Sequence, residues 1–162
     1  MIWLAIDPGL TTGWASYRTY APALDGTPIP GEFASGEVRG RHEFYQWMEE
    51  WGMELHPAAA YTASPDHIII ERWDVRKDTF GKSAQEDARY IIGAVEWWAT
   101  RLDHRITYHE QRPAEAKRFA TNDKLKKLGW YTGGEGHGDD AARHLLVALV
   151  KDKNTTIMEA LT

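Results

Sequence analysis

The sequence predicts an α/β fold: a mixed five-stranded sheet, three antiparallel strands then parallel ones, with helices on both faces. Three observations carry this. Short apolar runs recur between turn residues, as in Ile2–Ile6 and Ile68–Ile70. The links joining the first three runs are too short for a parallel crossover, so those strands are antiparallel neighbours. Later runs are separated by helical stripes, the pattern of βαβ units.

Residues 2 to 6 read as a buried central strand, and Gly9 and Gly13 make a tight turn into a second strand over Thr12 to Tyr20. The stretch from Ala21 to Gly31 holds three prolines and two glycines and reads as a loop. Phe33 to Val38 is the third strand. Phe44, Trp47, Met48, Trp51 and Leu55 then fall on one helical stripe. The run 67 to 71 returns parallel to the first strand. A polar loop over 72 to 82 leads into the longest helix, Ser83 to Leu102, with core positions Ala84, Ala88, Ile91, Ile92, Val95, Ala99 and Leu102. Tyr90, Ala94 and Trp97 form a second apolar stripe, which suits either a homodimer contact or cover by the chain's own loops.

Ile106 to His109 is expected as the last strand. Pro113 opens a helix at its favoured first-turn position, and a short basic helix follows over Asp123 to Leu128. Four glycines between 133 and 138 approach a final helix, 139 to 150, with core residues Ala141, Leu145, Ala148 and Leu149. Residues 1–150 read as one domain and 151–162 as a tail, helical or frayed.

The 162 residues, 43% of them hydrophobic and eight of them tryptophan, suffice for one core. No basic region precedes the first strand, so no secretory leader is expected. No apolar stretch approaches the ~20 residues that span a bilayer. Cysteine is absent, which rules out disulfides and thiolate metal sites and suits a cytoplasmic location, in a bacterial cell or a phage-infected host. The net charge of −5 argues against nucleic acid, but residues 112 to 127 carry six basic side chains against two acidic ones. Such a patch binds phosphates even on an acidic chain, or else is a solvated helix face.

The chemistry lies in three acidic signals. Asp7 sits where the first apolar strand stops; its plain alternative is a turn aspartate. Glu71 ends an equally apolar strand, where a charge must be solvated, paired or metal-bound. Adjacent strands lie ~5 Å apart, which puts both acids within reach of one cation. His137, Asp140 and His144 share a helix face by their spacing. His137 suits metal binding, phosphate contact or proton transfer. His144 reads first as a packed or hydrogen-bonded helix histidine, and Asp139 as a helix cap. Oxygen ligands with at most one histidine favour Mg2+ or Mn2+ over zinc, and two such ions ~4 Å apart suit in-line attack of water on a phosphodiester.

With these residues placed, the chain resembles the RuvC family of Holliday-junction resolvases, in the ribonuclease H-like superfamily. The resemblance rests on Ile-Asp-Pro-Gly-Leu-Thr-Thr-Gly-Trp-Ala at 6 to 15, Ile-Ile-Ile-Glu at 68 to 71 and His137-Gly-Asp-Asp140-Ala-Ala, in order from residue 2 to about 150. It implies catalytic and metal-binding roles for Asp7, Glu71, His137 and Asp140, with Asp139 as a substitute ligand, and two Mg2+ or Mn2+ ions per site. It also implies a homodimer that cuts four-way DNA junctions, with an aromatic at the junction centre, Trp73 or Phe80. Arg76, Lys77, Lys82, Lys117, Lys124, Lys126 and Lys127 would hold phosphates. The acidic total and the divergent 112–136 segment depart from the family and suit a phage-type member, with flaps or other branched DNA as further substrates. Two other readings compete: a catalytically silent DNA-binding or scaffold relative, and a nucleotide binder of the actin and sugar-kinase type, which begins with a similar strand, aspartate and glycine/threonine turn.

Overall fold

The computed structural model describes residues 1–27, 29–52, 65–73, 83–102, 106–133 and 136–162, without the side chains of 51, 52, 83–85 and 102. Five strands, β1 (Ile2–Asp7), β2 (Thr11–Arg18), β3 (Glu32–Arg39), β4 (His67–Glu71) and β5 (Thr107–Gln111), form one sheet in the order β3-β2-β1-β4-β5. β3, β2 and β1 pair antiparallel, and β1, β4 and β5 pair parallel. The expected mixed sheet is therefore the one found. The last strand ends at Gln111 rather than His109, and Gln111 matters at the site.

Strand alternation divides the sheet into two cores. Ile2, Leu4, Ile6, Ile68 and Ile70 face α1 (Arg41–Gly52) and α2 (Ser83–Leu102), against Phe44, Trp47, Met48, Ile91, Val95 and Trp98. Trp98 is a core residue outside the expected α2 stripe. Trp3, Ala5, Ala15, Tyr17 and Ile69 face the other way, onto α5 (His137–Lys151). Since odd-numbered residues of β1 and β4 point to the α5 side, Asp7 and Glu71 point there too.

α5 is buried nearly all round, from Gly138 through Leu149 apart from the half-buried Asp140. The sequence suggested one apolar face. The other face is covered by the short helices α3 (Pro113–Phe119), α4 (Asn122–Lys127) and α6 (Thr155–Leu161), which contribute Ala116, Leu125 and Ile157. Trp130 anchors this layer, stacked on Phe33 with ring centroids 4.4 Å apart.

On the second α2 stripe, Tyr90 and Trp97 are 53% and 62% exposed, while Ala94 packs against the core. Arginines lie over both rings, Arg41 over Tyr90 and Arg101 over Trp97. Among the described residues no helix is long and apolar enough to cross a membrane.

The first turn of α5 lies directly on the sheet. A Cβ on Gly13 would come within 1.9 Å of the His137 carbonyl oxygen. The atoms it would meet are backbone of His137 and Gly138, so they cannot yield without moving α5. Gly13→Ala should cost about 2–3 kcal/mol by overpacking, a fall in Tm of roughly 4–12 °C for a chain of this size. A thermal melt within 1 °C of wild type would show that α5 does not seat against β2 as described.

Candidate active site

Asp7 and Glu71 end neighbouring parallel strands. β1 and β4 pair up to Ile6 and Ile70, so the next residue on each is an acid at the same sheet edge. The N-terminal half of α5 crosses this edge and adds His137, Asp140 and His144. Asp7 is only 6% exposed. Thr12 ties its turn by donating from Oγ1 to the Gly9 carbonyl at 3.0 Å. From β3, Glu37 accepts the Gly138 N–H at 3.2 Å and caps α5.

Each acid of the site meets a base. Asp7 Oδ2 lies 2.7 Å from His137 Nδ1. Glu71 Oε2 lies 2.8 Å from His144 Nε2. Asp140 is held on both oxygens, by Arg143 Nη1 at 2.6 Å and Lys117 Nζ at 3.1 Å. Arg143 is itself buried and also donates to Asn122 Oδ1. Burial pushes the Asp7 carboxyl above its ordinary value, and the charges of Glu71 and Asp140 add to this, while the His137 hydrogen bond opposes it. The Asp7 hydrogen bond in turn raises the His137 imidazole, against its partial burial.

Asp7, Glu71, Asp140 and His137 therefore converge in one electrostatic neighbourhood. Three carboxylates and an imidazole are a donor set for a hard divalent cation. As they stand, no three acidic or histidine side chains among the described residues are close enough together to hold an ion, and each acid is bonded to its own base.

Asp139 lies apart from this group. It is fully buried, and its Oδ1 accepts from Thr132 N at 2.9 Å and Thr132 Oγ1 at 2.8 Å. It ties the 130–132 segment to the first turn of α5. His144 follows its plain reading, a buried histidine bonded on both ring nitrogens. Gln111, Arg143, Asn122 and Glu37 were not foreseen. The one available signal was the polar Asn122, Arg143 and Gln111 beside otherwise apolar or helical patterns.

The expected DNA contacts divide. Lys117 is exposed but paired with Asp140. Lys124 donates to the Phe119 carbonyl at 2.9 Å and lies over the Phe119 ring, and Lys126 lies over Tyr131. Lys127 is exposed. Trp73 is half-buried just beyond Glu71, with the Arg89 guanidinium 5.9 Å from its ring. Arg76, Lys77, Phe80 and Lys82 lie outside the described residues.

No protein-family model matches the sequence, and no curated protein matches it. Solved structures do match by shape. The Thermus thermophilus RuvC structure aligns with a TM-score of 0.61 at 15% identity, covering 96% of this chain and 98% of that one. T. thermophilus RuvC in complex with Holliday junction substrate aligns with a TM-score of 0.59 at 16% identity, covering 96% and 97%. The chain has a RuvC-like, ribonuclease H-like fold.

An acid whose pKa is raised on folding binds more protons folded than unfolded. Stability then falls as pH rises from the ordinary value of 3.8 through the raised one, and stays lower at neutral pH. Asp7→Asn removes that loss. At pH 7.5 without divalent metal, the variant should melt at or above wild type, by up to about 4 °C, with the difference shrinking as pH falls toward 4. A variant melting several degrees below wild type would make Asp7 a stabilising structural residue.

Proposed function

We propose that the chain is a divalent-metal-dependent DNA endonuclease acting on four-way junctions or other branched DNA. The observation that carries this reading is the placement of Asp7 and Glu71 at the ends of adjacent parallel strands, beneath a helix that supplies His137 and Asp140. The likeness to a RuvC structure that holds a Holliday junction supports branched DNA as the substrate class.

Asp7, Glu71, His137 and Asp140 would hold Mg2+ or Mn2+, with two ions per site. When bound, the metal supplies an activated water and charge stabilisation at a phosphodiester. The chain's own residues do the rest. Burial of Asp7 keeps solvent from the base of the site. Arg143, fixed by Asn122, orients Asp140. Lys117, beside Asp140, faces solvent and can meet a scissile phosphate. Arg76, Lys77, Lys82, Lys126 and Lys127 are the further phosphate contacts, and Trp73 or Phe80 the aromatic at the junction centre. Lys124, whose ammonium also donates to the Phe119 carbonyl, is a further phosphate contact. The exposed Tyr90 and Trp97 face of α2 suits a homodimer, which would place two sites on opposed strands.

One observation favours a silent DNA-binding relative instead: Asp140 is engaged by two basic side chains. Cleavage decides between the two. A labelled four-way junction is incubated in Mg2+, Mn2+ or chelator, beside flap, single-strand and linear duplex substrates. Paired metal-dependent cuts in the junction are expected from a protein that sediments as a dimer. Asp7→Asn and Glu71→Gln should each lower the rate by about a thousand-fold or more, with junction affinity within a few-fold. Faster cutting of flaps would change the substrate. No metal-dependent cutting of any substrate would leave the silent relative.

A further inference from the structure

Glu71 is the acid of the site with the longest side chain and the most freedom to miss its target. Its carboxylate meets an unusual partner. His144 lies on α5, is 1% exposed, and places Nε2 2.8 Å from Glu71 Oε2. A carboxylate only accepts, so the Nε2–H donates. The other ring nitrogen, Nδ1, lies 3.1 Å from Gln111 Oε1, and Gln111 is also buried. Both nitrogens are engaged when the ring carries both protons, or when the Gln111 amide turns its NH2 toward Nδ1, and rotating the ring would then break a buried bond.

Gln111 is fixed in turn. It stands beside Glu71 in the β4–β5 register, and its backbone carbonyl accepts the N–H of Arg72 at 2.7 Å. One residue thus clamps the main chain just after Glu71 and, through its side chain, aims the imidazole that holds the Glu71 carboxylate. The three groups come from three separate elements, β4, β5 and α5, and all lie on the α5 side of the sheet. Packing alone does not require polar groups here, because the neighbouring Leu145, Leu146 and Ile69 fill the core with apolar atoms. Three polar side chains in series across that core cost more to bury than apolar ones unless each is bonded, as each is.

We propose that His144 and Gln111 are positioning residues: a buried brace that fixes the Glu71 carboxylate in the orientation in which it takes a divalent cation. The inference rests on Glu71 being a metal ligand in the nuclease reading. Outer partners that orient metal ligands typically change metal affinity or activity by 10–100-fold when removed.

The test uses two variants of the full chain. His144→Leu fills the space and removes both bonds. His144→Gln retains an amide that can donate to Glu71. Three readouts are taken: Mn2+ affinity without DNA, from the free-Mn2+ spin-resonance signal; the junction cleavage rate; and a metal-free crystal structure of His144→Leu. The brace predicts Mn2+ binding and cleavage weaker by about 10–100-fold in His144→Leu, junction affinity unchanged, substantial recovery in His144→Gln, and a displaced Glu71 carboxylate in the crystal. A folded His144→Leu protein with wild-type Mn2+ affinity overturns the brace. So does a Glu71 carboxylate that stays in place, or a His144→Gln protein as impaired as His144→Leu. Wild-type protein that neither binds Mn2+ nor cleaves would sink the nuclease reading instead, and the crystal structure would still decide whether His144 holds Glu71.

Discussion

The close approach of the first turn of α5 to the sheet governs the rest of the structure. Gly13 leaves no Cβ between β2 and the His137 carbonyl, and a Cβ on Gly138 would lie 3.2 Å from the Gly36 carbonyl oxygen on β3. Only there can the helix lie low enough for His137 to reach Asp7. Glu37 secures the same turn by accepting the Gly138 N–H, an acidic cap at a helix N-terminus. Everything further along α5 follows from this seating, including the distance from Asp140 to Lys117 and from His144 to Glu71.

Seating the helix so low gathers negative charge in a buried place. Asp7 feels both its desolvation and the charges of Glu71 and Asp140. The fold answers by giving each acid a base, from α5 itself for Asp7 and Glu71, and from α3 and α5 for Asp140. The pairing offsets part of the repulsion, and the charges of Glu71 and Asp140 still act on Asp7. The layer of α3, α4 and α6 over α5 serves the same end. It buries the outer side of α5 and places Asn122 against Arg143 and Lys117 against Asp140.

Much of this was legible in the sequence. An acid that ends an all-apolar strand is a strong local signal, and it located Asp7 and Glu71 without any tertiary information. The three-residue spacing of His137 and Asp140 also selected the helix face that the structure uses, and the strand order followed from link lengths alone. What stayed hidden depends on contacts distant in sequence. His144 and Glu71 are 73 residues apart and Arg143 and Asn122 are 21 apart, so no window reveals either pair. Gln111 was missed because β5 is an edge strand with little apolar alternation, and its end cannot be read from hydrophobicity. Asp139, an acid in the first turn of a helix, reads as a cap, and its bonds to Thr132 belong to a loop contact that the cap reading does not contain.

The central claim is that Asp7 and Glu71 share a divalent cation beneath α5. Anomalous diffraction at the manganese edge, from crystals grown with Mn2+, tests it without relying on a substrate. The account predicts an anomalous peak bounded by the carboxylates of Asp7 and Glu71, with Asp139 still bonded to Thr132. Mn2+ bound elsewhere, with Asp7 still on His137 and no anomalous peak between the Asp7 and Glu71 carboxylates, would contradict it.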